Sequence, residues 1–231
     1  MGKLLSFVTV LLLAACSTAP APEPEGPPRA VRPSAPTVPA DASIIVTFGD
    51  SLTAGLGLAP EDNYPSLLQN LLLDQGFPYH VVNEGVSGDT SATALARVDT
   101  AASERAELVI VAIGANDGLR GLPVDEMEKN LREIVRRFEA TGSRVVLAGM
   151  RIPPNMGPEY VGDFEAVFPR VAQDREIPLL PFLLEGVAAD ANLNQDDGIH
   201  PNEEGTRIVA ELVANFVKPL LRRRRKEAAT E

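Results

Sequence analysis

Apolar residues along this chain recur at two spacings, and segments of the two kinds alternate from residue 44 to residue 221. Five short segments are predicted strands, and the first is an apolar, mostly β-branched run that is typical of a strand buried in a parallel sheet. The first of these segments runs directly into Gly49-Asp50-Ser51. The predicted strands cover residues 44–48, 79–83, 108–113, 145–148 and 179–180.

Longer segments between these strands carry apolar residues at helical spacing. Helices are predicted over residues 65–75 and 91–103, and another is predicted to begin with Asp125 as its N-cap and to stop at Gly142. Alternation of strands and helices predicts an α/β domain in which helices cover both faces of a parallel sheet. A last helix follows the fifth strand, and its apolar stripe consists of Ile208, Val209, Leu212, Val213 and Phe216.

The two ends of the chain lack this alternation. Residues 1–15 place Lys3 ahead of an apolar run that is too short to span a bilayer, which indicates a secretory signal peptide. Residues 16–43 are rich in proline and alanine, so they are predicted to form an extended tether that reaches at most about 80 Å. The folded domain is predicted over residues 44–221, followed by a basic, disordered tail over residues 222–231.

Leu13-Ala14-Ala15-Cys16 closes the signal peptide and resembles the bacterial lipoprotein box, in which the cysteine becomes the first mature residue and carries the lipid. Cys16 is the single cysteine of the chain, so a disulfide framework is excluded. We interpret Cys16 as a lipidation site that anchors the domain to the periplasmic face of a bacterial membrane. The alternative is ordinary secretion into the periplasm, with Cys16 discarded in the signal peptide.

The net charge of the predicted domain disfavours polyanionic partners. Residues 44–221 contain 13 Lys or Arg and 27 Asp or Glu, which leaves a formal charge of −14. This charge makes nucleic acid an unfavourable partner and disfavours long-range attraction of polyanions such as coenzyme A esters. The basic run over residues 222–226 has two interpretations, a solvated tail or a segment that contacts anionic lipid headgroups.

Ser51 follows the first predicted strand, and ligands of open α/β sheets bind beyond the carboxyl ends of the strands. A serine hydroxyl needs a base to become a strong nucleophile, and the chain has two histidines. His80 falls within a predicted strand, whereas His200 lies in a loop ahead of the last helix. Asp197 precedes His200 by three residues, so a tight turn can bring its carboxylate to one ring nitrogen while the other faces a serine.

An oxyanion site could be built from Ser51 and two further turns at strand ends. Gly88 follows the second strand and can expose its backbone N–H because it has no Cβ. Asn116 follows the third strand and offers a side-chain N–H. Together with the backbone N–H of Ser51, these donors could converge on a tetrahedral oxyanion.

Other motifs are incomplete. Residues 55–57 begin a dinucleotide-binding fingerprint, but Pro60 stands where the third glycine belongs. Residues 190–201 imitate a calcium loop, with Gln195 in place of the required glycine and Pro201 in place of the bidentate glutamate. We therefore predict neither a metal site nor a cofactor.

Taken together, four short blocks resemble those of the GDSL/SGNH hydrolases in order and spacing. Within that family, the loops over residues 115–119 and 150–155 look like those of the bacterial arylesterase, acyl-CoA thioesterase I and lysophospholipase L1 group. The resemblance covers residues 44–221 and leaves out the signal peptide, the tether and the tail. The four blocks are Gly49-Asp50-Ser51-Leu52, Ser87-Gly88-Asp89-Thr90, Gly114-x-Asn116-Asp117 and Asp197-x-x-His200.

The resemblance implies a flavodoxin-like three-layer α/β/α sandwich with a five-stranded parallel sheet in the order 2-1-3-4-5. It implies that Ser51 is the nucleophile, His200 the base and Asp197 the acid that orients it, with Asp196 a structural neighbour. The implied oxyanion donors are the N–H of Ser51, Gly88 and Asn116. The residues implied to shape the acyl pocket are Leu119, Ile152, Pro153 and Pro154.

The function expected from the resemblance is a serine esterase that acts through an acyl-enzyme without a cofactor. Its expected substrates are small ester or lipid molecules, namely aryl esters and lysophospholipids, with acyl thioesters as a further capability. One alternative is an esterase that removes acetyl groups from glycans of the cell envelope. Another, from a different class, is a catalytically dead binding module on a tether.

Overall fold

The computed structural model describes residues 37–221. The predicted signal peptide over residues 1–15, Cys16, the first part of the tether and the basic tail over residues 222–231 lie outside the described residues. Within residues 37–221, none of the helices combines the length and the apolar character that crossing a membrane requires.

Five parallel strands form a single sheet in the order β2-β1-β3-β4-β5. This topology confirms the predicted parallel sheet and its strand order. The predicted strand bounds differ from the observed bounds by at most two residues, and the largest difference is at the end of the second strand. The strands are β1 (Ser43–Gly49), β2 (Tyr79–Gly85), β3 (Leu108–Ala112), β4 (Arg144–Ala148) and β5 (Leu179–Leu180).

Helices flank the sheet in two packed groups. The connection from β1 to β2 runs in one direction along the sheet, and the later connections run in the other, so right-handed crossovers place their helices on opposite faces. Accordingly α2 packs against α7, whereas α5 packs against both α3 and α6. The helices are α1 (Ser51–Ala54), α2 (Tyr64–Asp74), α3 (Ser91–Ala102), α4 (Ala115–Leu119), α5 (Val124–Ala140), α6 (Pro158–Arg175) and α7 (Glu203–Val217).

Helix α5 begins earlier than predicted. Pro123 occupies the N-cap position, so the prediction that Asp125 caps this helix is wrong. Asp125 lies in the first turn, where its charge complements the helix dipole, and its carboxylate lies 3.2 Å from Lys129 Nζ. The apolar stripe of α5 faces the sheet as expected, and the ring of Phe138 meets that of Phe48 edge-on at 5.1 Å between centroids.

Helix α6 was missing from the predicted elements. Its buried residues Phe164, Val167, Phe168 and Val171 follow helical spacing, so a periodic signal was present in the sequence. Pro169 interrupts that signal, because a proline inside a helix removes one backbone hydrogen bond and usually ends the helix. Here the apolar stripe on both sides of Pro169 is buried, and the helix continues through the proline to Arg175.

Strands β1, β2 and β3 end level with one another. Gly49, the last residue of β1, lies opposite Gly85 of β2 and Ala112 of β3. The three segments that follow these residues therefore leave the sheet side by side at its carboxyl edge. They contain Ser51, Gly88 and Asn116.

Glycines at the ends of β1 and β2 let helix α1 pack directly onto the sheet. A Cβ on Gly49 would lie 2.0 Å from Thr53 Oγ1, and a Cβ on Gly85 would lie 2.2 Å from the backbone nitrogen of Ala54. Neither glycine has a positive φ, so the requirement is space rather than backbone conformation. Any side chain at Gly85 must displace the helix that carries Ser51.

This close packing predicts opposite effects for one substitution at two sites. Gly85→Ala should lower the free energy of unfolding by about 1–3 kcal/mol, because the new methyl group overlaps the backbone of α1. Gly162→Ala should raise it by up to about 1 kcal/mol, since Gly162 lies exposed within α6 with open space around it and alanine favours the helix. Urea unfolding of both variants checks the prediction, and equal effects at the two positions would contradict it.

Candidate active site

Ser51, His200 and Asp197 lie in one hydrogen-bonded row at the carboxyl edge of the sheet. Ser51 Oγ lies 2.8 Å from His200 Nε2, and His200 Nδ1 lies 2.6 Å from Asp197 Oδ2. Ser51 is the first residue of α1, directly after β1, whereas the other two residues lie in the loop that precedes α7. This geometry can transfer a proton from the serine to the imidazole while the carboxylate holds the second ring nitrogen.

The turn that places Asp197 beside His200 is stabilised by the carboxylate itself. Asp197 Oδ1 accepts hydrogen bonds from the backbone N–H groups of Ile199 and His200, each at 3.0 Å. These two bonds, together with the bond to the imidazole, lower the pKa of Asp197 to about 2. The carboxylate is therefore ionised at neutral and mildly acidic pH.

The three predicted oxyanion donors belong to segments at the carboxyl edge of the sheet. Ser51 begins α1, so its backbone N–H has no partner within the helix, and Gly88 turns its backbone with a φ of +87°. Asn116 Nδ2 donates one hydrogen to the backbone carbonyl of Asp89 at 3.0 Å, which leaves its second hydrogen for a ligand. All three residues line the same cavity. This arrangement can stabilise an oxyanion on a carbon bound to Ser51 Oγ.

Arg97, which sequence reasoning missed, joins the segments that carry these donors. Its Nη2 donates to the carbonyls of Gly49 and Glu84 at 3.0 Å, and its Nε donates to Asp89 Oδ2 at 2.6 Å. The guanidinium also stacks over the ring of Phe48 at 4.2 Å from the centroid. A single side chain on α3 thus fixes the end of β1, the end of β2 and the residue that follows Gly88.

Asp117 fixes the segment after β3, which carries Asn116. Asp117 was recognised in the sequence as part of a motif but was given no role. Its two carboxylate oxygens accept from the backbone N–H and the hydroxyl of Ser91 at 2.7 and 2.6 Å, and Asn130 donates to that hydroxyl. Burial raises the pKa of Asp117, and the bonds from Ser91 oppose that rise. These contacts tie α4, which carries Asn116, to the start of α3.

Asp50 is a buried carboxyl next to Ser51, and its burial destabilises the charged form. It is 1% exposed, its Oδ1 accepts from the backbone N–H of Leu52 at 3.0 Å, and its Oδ2 has no hydrogen-bond partner among the described residues. Burial raises its pKa to about 6, an effect that the nearby Asp89 increases and His200 decreases. Asp50 therefore changes ionisation between mildly acidic and neutral pH.

An apolar cavity of about 640 Å³ opens beside the row of three residues. The residues predicted to shape an acyl pocket, namely Leu119, Ile152, Pro153 and Pro154, all line it. Its wall also includes Leu56, Phe182 and Ile199. Such a cavity suits the hydrocarbon part of an ester.

The remaining candidates lie outside this arrangement. His80 is exposed on β2, near the start of the strand and away from the carboxyl edge. Asp196 is exposed in the loop before α7, and it is Asp197 that contacts His200. Among residues 37–221 no group of three or more His, Cys, Asp or Glu side chains is arranged to hold a metal ion.

Comparison with known proteins gives a consistent assignment. Residues 47–208 match the GDSL-like lipase/acylhydrolase family. The chain is 41% identical to the esterase TesA of Pseudomonas aeruginosa over 186 residues, which cover 80% of this chain and 92% of that protein. It is 36% identical to the thioesterase 1/protease 1/lysophospholipase L1 of Escherichia coli over 183 residues, which cover 79% and 86% of the two chains.

Solved structures agree with this result. The crystal structure of TesA superposes on 77% of this chain and 99% of its own with a TM-score of 0.74. A psychrotrophic esterase, EstA from Pseudoalteromonas sp., in a structure inhibited by monoethylphosphonate, superposes with the same TM-score at 32% identity and covers 77% of this chain and 98% of its own.

The two neighbouring aspartates allow a matched test of the acid. Asp197→Asn should lower kcat for p-nitrophenyl butyrate by roughly 10²–10⁴-fold, because the amide donates to His200 Nδ1 and so fixes the tautomer that cannot accept a proton at Nε2. Asp196→Asn, the control, should stay within about 2-fold of wild type. Equal losses in the two variants would show that the carboxylate beside His200 has no special role.

Arg97→Lys should lower kcat by roughly 10–100-fold and change KM little, because one ammonium cannot reach Gly49, Glu84 and Asp89 together and the oxyanion donors lose their spacing. The control is Arg137→Lys, since Arg137 pairs with Asp99 and Glu133 away from Ser51. Each rate is divided by the concentration of reactive Ser51, which is measured by titration with a fluorophosphonate. If the loss disappears after that correction, Arg97 supports folding and does not position the site.

The pKa of Asp50 predicts a pH dependence of stability. A carboxyl whose pKa is raised on folding stabilises the native state at low pH, and this contribution is lost as pH rises through about 6. The free energy of unfolding of Asp50→Asn, relative to wild type, should therefore rise by about 2–3 kcal/mol from pH 4 to pH 8. Asp163→Asn, at an exposed position, is the control, and a flat difference for Asp50→Asn would refute the expectation.

Proposed function

The chain belongs to the GDSL-like lipase/acylhydrolase family and is a serine esterase, and we propose that it hydrolyses lysophospholipids and simple carboxylic esters at the cell envelope. The row formed by Ser51, His200 and Asp197 beside an apolar cavity of about 640 Å³ carries this proposal. The apolar wall of the cavity suits a fatty acyl chain. The net charge of the domain disfavours coenzyme A esters as the main substrates.

We assign the first half of the reaction to Ser51 and His200. Ser51 Oγ attacks the ester carbonyl while His200 Nε2 takes its proton, and Asp197 stabilises the resulting imidazolium. The carbonyl oxygen becomes an oxyanion that accepts from the N–H groups of Ser51 and Gly88 and from Asn116 Nδ2. The intermediate then collapses, the bond to the alcohol breaks, and the alcohol leaves with the proton from His200. Ser51 is left acylated.

The second half repeats these steps with water. His200 takes a proton from a water molecule, whose oxygen attacks the acyl carbon and forms a second oxyanion in the same site. Collapse of this intermediate returns the proton to Ser51 Oγ and releases the carboxylic acid. Every group used belongs to the chain, and each proton taken is returned.

The size of the cavity distinguishes lipid esters from the alternative substrates, acetylated glycans of the cell envelope. An esterase for acetyl groups on envelope glycans needs a pocket that holds two carbons and rejects longer chains. Here Leu119, Ile152 and Phe182 line a space far larger than an acetyl group. The structure therefore supports acyl chains of lipid length over acetyl groups.

A substrate panel tests the proposed function. Wild type should cleave lysophosphatidylcholine and p-nitrophenyl octanoate with a higher kcat/KM than palmitoyl-coenzyme A or p-nitrophenyl acetate, because the cavity binds the chain and the acidic domain repels coenzyme A. Ser51→Ala, the control, should lose the activity on all four. Far faster cleavage of the coenzyme A ester would reverse this order, and a strong preference for acetate would favour glycan deacetylation.

We further propose that Cys16, which lies outside the described residues, carries the lipid that holds the enzyme on the periplasmic face of a membrane. Its place at the end of the predicted signal peptide supports this assignment. Cells labelled with radioactive palmitate should yield a labelled chain, and Cys16→Ala should abolish the label while Ser17→Ala retains it. An unlabelled wild-type chain would leave ordinary secretion as the explanation.

A further inference from the structure

Large apolar side chains are exposed on one face of the domain. Within residues 37–221, four such side chains are 40–46% exposed. All four lie in segments at the carboxyl edge of the sheet. The first lies just after α1, the second directly follows β2, the third ends α4, and the fourth directly precedes His200. We call these four residues the apolar rim, and they are Leu56, Val86, Leu119 and Ile199. Clustering of exposed apolar residues on one face indicates an interaction surface.

The apolar rim surrounds the entrance to the active site. Leu56, Leu119 and Ile199 line the cavity that contains Ser51, so part of their exposed surface belongs to the substrate path. Val86, which directly follows β2, does not line the cavity. Its exposure is therefore not explained by substrate binding, and it extends the apolar surface beyond the cavity.

Two arginines lie on the same face in a domain that is otherwise strongly acidic. Arg120 Nη2 donates to the carbonyl of Gly88 at 3.0 Å, and Arg151 lines the cavity with its guanidinium 4.8 Å from the ring centroid of Phe182. Glu185 lies 3.8 Å from Arg151, which is a loose pair. Exposed apolar side chains flanked by arginines complement the acyl chains and phosphates of a phospholipid surface.

The chain ahead of the domain is long enough to bring this face to a membrane. Strand β1 begins at Ser43 on the edge opposite the active site, and its seven residues span roughly 23 Å. The preceding tether over residues 16–43 has a predicted reach of about 80 Å. A lipid on Cys16 and the apolar rim could therefore contact the same bilayer, although β1 begins at the edge of the sheet opposite the rim.

We propose that the apolar rim docks the active-site face onto a phospholipid surface, so that a lysophospholipid passes from the bilayer into the cavity without crossing water. The proposal rests on the proposed action on lysophospholipids and on the predicted anchor at Cys16. It goes beyond both, because an anchored enzyme could equally act on soluble esters with its active site turned away from the membrane.

The chain contains no tryptophan, so a single introduced tryptophan reports its own surroundings. Val86→Trp in the full chain, mixed with phosphatidylcholine vesicles, should shift its emission to shorter wavelength and be quenched by brominated phosphatidylcholine. The control is Ser103→Trp, since Ser103 is exposed at the opposite edge of the sheet, and its emission should not change.

A charge at the same position gives the functional test. Val86→Asp should lower hydrolysis of lysophosphatidylcholine embedded in vesicles by about 10-fold, because the charge opposes docking. It should leave kcat/KM for soluble p-nitrophenyl butyrate unchanged, since the substitution keeps the backbone N–H that Val86 donates to Gly49 and the side chain does not line the cavity. Ser103→Asp should change neither rate.

Each other outcome has a definite meaning. No spectral change at Val86→Trp, with lysophosphatidylcholine in vesicles still hydrolysed, overturns docking and leaves the proposed function intact. Docking without hydrolysis of any lysophospholipid supports the surface and refutes the proposed function. Short-wavelength emission before vesicles are added also overturns the proposal: a second copy covers the rim if the emission depends on protein concentration, and the chain's own terminal residues cover it if it does not.

Discussion

Three backbone segments meet at the reaction centre because β1, β2 and β3 end at the same level of the sheet, with Gly49 opposite both Gly85 and Ala112. Where strands end, their last carbonyls lose sheet partners and need other donors. Here the carbonyl of Gly49 accepts from the backbone N–H of Val86 and from Arg97, which also binds the carbonyl of Glu84. The bonds that satisfy the edge of the sheet are thus the bonds that set the positions of Ser51 and Gly88.

The contacts that could be predicted from the sequence are those that are local in the chain or follow from the topology of the sheet. Asp197 and His200 are three residues apart, so their pairing needs one tight turn, and Ser51 faces them because parallel strands end on one edge. Arg97 could not be predicted, because its partner Gly49 is 48 residues away and an arginine on a helix is usually a surface residue. Asp117 was visible as part of a motif, yet its partner Ser91 is identified by the fold alone. Helix α6 was missing from the predicted elements, although its buried residues follow helical spacing on both sides of Pro169.

Two buried carboxylates near the site differ in how completely they are hydrogen-bonded. Asp117 has both oxygens bound by Ser91, and its network joins α3 to α4. Asp50 has one oxygen bound and the other without a partner among the described residues, directly beside the nucleophile. Buried polar groups that lack partners destabilise a protein, and they persist mainly at functional sites. The cost at Asp50 is consistent with a role for this carboxyl in the cavity that it lines together with Ser51 and His200.

The acid of the row is not protected from solvent, and this bears on which reaction the site performs. The Asp197 side chain is 44% exposed, whereas that of His200 is 13% exposed. Water weakens the attraction between an exposed carboxylate and an imidazolium, but the two backbone N–H bonds to Asp197 keep it ionised and oriented regardless of solvent. Hydrolysis needs a path for solvent to the base, because the second half of the reaction must deliver water to the acyl carbon from the side of His200. A site that excluded water would hold its acyl group until another alcohol arrived and would act as a transferase. The exposed loop before α7 therefore favours hydrolysis.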